Sequence, residues 1–101
     1  MNPRFKAIRQ RRPFTNVDCI TTHVEVRGDY SQGGTYEVDV FVSNEEYRSG
    51  RYRDLVWQAA CTRATQACGV AISYVKVLDV HVCLDGKWHA QKVGKWPVFE
   101  Y

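Results

Sequence analysis

The chain has 101 residues, 45% of them hydrophobic and 25% charged, a composition that supports one globular core and excludes a second. No apolar run approaches the ~18 residues of a membrane-spanning helix, and no charged-then-apolar leader opens the chain, so no membrane partner is expected and a cytoplasmic location is. The net charge of +3 is unevenly placed: Arg4, Lys6, Arg9, Arg11 and Arg12 put five cations and no acid into the first fourteen residues, leaving nine basic against eleven acidic residues in the remainder, a net −2. The expected organisation is a basic arm over residues 1–14 and a single α+β domain over 15–101.

Within the arm, Asn2 can cap and Pro3 can take the first helical position, which predicts a short helix from Pro3 to Arg12 ended by Pro13. At about ten residues it is marginal by itself, so it is either docked through Phe5, Ile8 and Phe14 or frayed. Two alternating stretches follow. Ile20, Thr22, Val24 and Val26 share one face of a strand, and Tyr36, Val38, Val40 and Val42 share one face of the next, with the turn-rich Asp29 to Gly34 between them.

Ser43-Asn44-Glu45-Glu46 has the form of a capping box, yet Ser49-Gly50 interrupts it, so the helix start falls between Asn44 and Arg51. From Arg51 to Cys68 the pattern is helical: Tyr52, Val56, Trp57, Ala60, Ala64, Ala67 and Cys68 on one side, Arg51, Asp54, Gln58, Thr62, Thr65 and Gln66 on the other. Gly69 is placed to end it. Ile72 to Leu84 alternates again with a phase slip, which predicts a β-bulge near Lys76 to Leu78. At Asp85-Gly86 a bulged turn would set Val82 opposite Trp88 and Val80 opposite Ala90, keeping apolar with apolar, and that register is the expectation. The order strand, strand, helix, strand, strand gives a four-stranded, largely antiparallel sheet with one helix across one face. Gly94 to Tyr101, aromatic-rich with Pro97, reads as an edge or a docked tail.

Few motifs carry chemistry. Asp79, His81 and Cys83 alternate on one strand face, but such neighbours lie about 6.5–7 Å apart and no oxyanion donor accompanies them. Cys19 and His23 are about 13 Å apart along a strand, too far to hold one ion, and His81, Cys83 and His89 do not complete a set, so no metal is expected. Cys19, Cys61, Cys68 and Cys83 form no CxxC pair and read as free thiols. With no Gly-rich phosphate loop, HExxH or GxSxG, neither an enzyme nor a cofactor is expected.

What remains are contact residues. The arm's Arg4, Lys6, Arg9, Arg11 and Arg12 suit phosphates or an acidic protein surface. Arg48, Arg51 and Arg53 oppose the dipole at a helix start, which Glu45, Glu46 and Asp54 offset. Phe41, Leu55, Trp96, Val98, Phe99 and Tyr101 form an exposed apolar inventory that either anchors an interface or folds back as a tail with Phe41 beneath it. These features point to a small non-enzymatic binding protein that occupies a surface of a protein partner, such as a nucleic-acid-binding complex, using Arg4, Lys6, Arg9, Arg11, Arg12, Arg48, Arg51, Arg53, Phe41, Trp96, Phe99 and Tyr101. Blocking a host complex, as a virus or mobile element does, is the mode such a protein suits. The alternative is direct nucleic-acid binding by the arm. A free strand edge beside Phe41 would support a homodimer.

Overall fold

The computed structural model describes residues 15–29, 33–91 and 96–100. The predicted arm helix, all five arm cations, Phe5, Ile8, Phe14 and Tyr101 lie outside them. The described chain is α+β: β1 (Val17–Gly28), β2 (Gly34–Val40), α1 (Asn44–Arg48), α2 (Tyr52–Cys68), a 3-10 turn at Gly69–Ala71, β3 (Ile72–Leu84), β4 (Lys87–Gln91) and β5 (Val98–Glu100). The strands form one antiparallel sheet in the order β2-β1-β3-β4, with β5 beside β3 as a fifth strand. β4 pairs with Val80 to Leu84 and β5 with Tyr74 to Lys76. The tail is therefore an edge strand following β4 along β3.

The alternation read from β1 is what the sheet uses. Ile20, Thr22, Val24 and Val26 are all fully buried, facing Val75, Val77, Val80 and Val82 of β3 in the same core. α2 covers this face with Val56, Ala60 and Ala64, small side chains four residues apart that let the helix sit close to a valine surface. Thr22 is the one buried polar residue among those described, and its hydroxyl donates to the Asp79 carbonyl at 2.7 Å. A bulge follows in the same ladder. β1 and β3 change register between the pairs His23↔Asp79 and Val24↔Val77, leaving Leu78 as the extra residue within the predicted window.

The ambiguity over the helix start reflects two helices. Ser43 caps α1 in a reciprocal box, its hydroxyl accepting from the Glu46 amide at 3.0 Å while its own amide donates to Glu46 Oε1 at 2.8 Å. Ser49 and Gly50, the latter at φ 85°, break the chain before α2 begins at Tyr52. Gly69 ends α2 at φ 62°.

Three expectations are corrected. The β3–β4 turn has two residues, not a bulge: Val82 faces His89 and Val80 faces Gln91, while Trp88 pairs with Cys83 and Ala90 with His81. Asp85 at φ 50° and Gly86 at φ 80° form a type I′ turn, whose twist suits the strands. Leu55 is half-buried against the core rather than on the open side of the helix. Trp96 is buried, only 6% exposed.

Candidate interaction surfaces

Trp96 packs at the start of α2. The Arg53 guanidinium lies 4.3 Å from its ring centroid, and Tyr52 meets it edge-on at 6.3 Å while stacking on Tyr47 at 4.8 Å. Gln91 Nε2 donates to the Tyr47 hydroxyl, so β4 joins the same cluster. Arg53 and Trp96, both expected at an interface, here join the tail to the helix. Phe99 stays 41% exposed, at the rim of a shallow apolar groove of about 440 Å³ formed with Cys61, Val70 and Ile72 at the far end of α2.

The other residues gather at the opposite end of the sheet. Phe41, 77% exposed, follows β2 and leads into α1, which carries Arg48 and is followed by Arg51. Asn44, the first residue of α1, accepts from the Val17 amide at 2.7 Å and donates to the Thr15 carbonyl at 3.0 Å. Thr15 and Asn16, the arm's root in that they follow the basic residues 1–14 in the chain, are held again by Asp85. Its carboxylate accepts from the Thr15 hydroxyl (2.6 Å), the Thr15 amide (3.0 Å) and the Asn16 amide (2.8 Å), and its amide donates to the Asn16 carbonyl. Asp85 thus serves the turn and the arm's root together. Sequence reasoning missed this role because the bond joins residues 70 apart in the chain.

No described helix covers the second face of the sheet, and cross-strand rows organise it. Nearest the arm's root runs Cys19–Cys83–Trp88; next Asp39–Thr21–His81–Ala90; then Glu37–His23–Asp79; then Thr35–Glu25–Lys76–Val98. Asp39 accepts from the Thr21 hydroxyl at 2.7 Å. His23 bridges strands, with Nδ1 2.7 Å from Asp79 Oδ1 and Nε2 3.5 Å from Glu37 Oε2; His81 Nε2 is 3.8 Å from the same Asp79 oxygen.

This geometry decides the chemistry of the alternating Asp79, His81 and Cys83. Asp79 orients His23 rather than His81. Cys83 Sγ lies 3.5 Å from Asp18 Oδ2, and burial, then that carboxylate, pushes its thiol above the usual range, opposing the thiolate a nucleophile needs. Cys19, directly opposite Cys83, is also raised, by burial and then Asp39. All four cysteines are free. Among the described residues no three His, Cys, Asp or Glu side chains converge to hold a metal ion, and no helix is long and apolar enough to cross a membrane.

The hydrogen bond to Asp79, reinforced by Glu37, holds the His23 imidazole above its ordinary range. A group whose pKa is raised by folding stabilises the fold fully below its unfolded value and loses that contribution as pH rises through the folded one. Thermal stability is therefore expected to fall from mildly acidic to mildly alkaline pH, with His23→Gln flattening the dependence. Asp79→Asn should return the imidazole toward its ordinary titration, read from its proton resonances.

Compared with known proteins, the chain matches no family model, no curated protein and no solved structure.

Proposed function

We propose that this chain is a small, non-enzymatic binding protein that occupies, and so blocks, a surface of a macromolecular partner. The supporting observation is the gathering at one end of the domain of the arm's root, the exposed Phe41 and the arginine-bearing α1, tied together through Asn44 and Asp85. An exposed aromatic beside arginines is the composition of an interface hot spot. Arg4, Lys6, Arg9, Arg11 and Arg12 extend the cationic footprint, so the matching surface is acidic, like the rim of a nucleic-acid-binding complex. Phe99 and Tyr101 belong to the tail; Phe99 lies at the far end of the domain and serves a separate contact if it serves one.

A protein partner is favoured over nucleic acid because, among the described residues, the sheet face that no helix covers carries Glu25, Glu37, Asp39 and Asp79 against Lys76 and Arg27, an acidic balance that opposes a phosphate backbone. The test is affinity purification from native host extract followed by affinity measurement on the isolated partner. Phe41→Ala is expected to weaken that complex about thirtyfold, the lower end of a hot-spot truncation. Direct binding to generic DNA or RNA that weakens steeply with salt, unchanged by Phe41→Ala and lost when the five arm cations are replaced by serine, would establish the alternative instead.

A further inference from the structure

The uncovered face of the sheet is polarised along its length. In the half nearer the arm's root, the rows Asp39–Thr21–His81 and Glu37–His23–Asp79 carry three carboxylates and no lysine or arginine; the cations Lys76 and Arg27 lie in the farther rows. Trp88, 55% exposed, stands on the same face in the row next to the root, and Phe41 follows β2 at that end. A face of this kind suits a ligand that is cationic and aromatic, and the chain contains one: residues 1–14 hold five cations, no acid, and Phe5, Ile8 and Phe14.

We infer that residues 1–14 dock in cis on the root-proximal half of this sheet face, setting their arginines against Asp39, Glu37 and Asp79 beside Trp88 and Phe41. Reach permits it. Thr15 is pinned to Asp85 at the end of the sheet where these rows begin, and fourteen extended residues span up to about 46 Å. The rows from Cys19 to Glu25 cover only about 20 Å. Tethering also supplies an effective concentration in the millimolar range, so weak, screened ion pairs suffice to hold the arm. The sheet face then stores the cationic segment that the proposed partner would draw away, and the two uses of the arm compete.

The test uses the full chain and needs no partner, so it stands or falls separately from the proposed function. Amide resonances of Thr21, His23, Glu37, Asp39 and His81 are compared between the native chain and a variant with Arg9→Ser, Arg11→Ser and Arg12→Ser. Docking predicts shifts concentrated in these rows, reproduced in the native chain by about 1 M salt, where the screening length is about 3 Å. It also predicts that the His23 imidazole titrates higher once the neighbouring cations are gone. Both effects should be independent of protein concentration. Glu37→Gln with Asp39→Asn, two exposed changes that leave the core intact, should mimic the loss of the arm. Unmoved resonances on this face in the arginine variant would overturn the inference, and so would shifts that appear only as concentration rises, which would place the arm on a second copy.

Discussion

Replacing Trp96 by alanine is expected to cost about 3–5 kcal/mol, the range for emptying a buried tryptophan site. The ring is 6% exposed and holds three elements together: Arg53 and Tyr52 of α2 lie against it, Gln91 at the end of β4 reaches the same cluster through Tyr47, and β5 begins two residues later. β5 has three residues and pairs only with Tyr74, Val75 and Lys76. Without its anchor it should detach, and the amide-exchange protection of that short ladder should vanish while the Val80 to Leu84 ladder keeps its own. Trp96→Phe separates the ring from its N–H. Among the described residues Trp96 Nε1 is the one buried side-chain nitrogen or oxygen without a hydrogen-bond partner, so phenylalanine keeps much of the packing and removes an unsatisfied donor. Its loss should be well under half that of alanine. Equal losses for the two variants would show that the indole nitrogen carries a bond the packing alone does not explain.

Ile20→Ala should cost about 2–5 kcal/mol, measured by chemical unfolding. Ile20 is fully buried in the central strand β1, flanked by Val40 on one side and Val82 on the other. The surrounding valines are stiff at χ1 and fill a cavity poorly. In a domain of this size such a loss lowers the thermal midpoint by more than about 10 °C. Ile20→Val, which removes a single methylene, should cost only about 0.5–1.5 kcal/mol. A cost for alanine below about 1 kcal/mol would mean that the β1 core face is not the closed interior described above.

The contrast between these residues explains what the sequence could disclose. Ile20 sits in a strict alternation, and alternation assigns a face before any partner strand is known. The Leu78 bulge was legible for the same reason, because a slip in parity has to be absorbed by an extra residue. Trp96 carried no such signal: between Gly94 and Pro97 it belongs to no periodic segment, and its burial depends on Arg53 and Tyr52, more than forty residues away in the chain. At the β3–β4 turn the backbone preference of Asp-Gly for a two-residue turn outweighs the pairing of apolar residues with one another. Both turn residues adopt positive φ, and Asp85 further gains the bonds to Thr15 and Asn16.

Within the contact set, sequence could place Arg48, Arg51 and Phe41 near one another because they flank one short segment. It could not show that Asn44 ties that segment to the arm's root, since a side chain that bonds both Thr15 and Val17 is a product of tertiary structure. Nor could it show that Asp39, Glu37 and Asp79 fall in adjacent rows, which depends on two strand registers at once.

The outer margin of β2 ends the sheet among the described residues, and its backbone is open to another extended chain. Two molecules meeting antiparallel there, centred on Val38, would bring Glu37 of each against Asp39 of the other. Four like charges in so small an area weigh against that pairing, the same like-charge repulsion that strand margins use against edge-to-edge association.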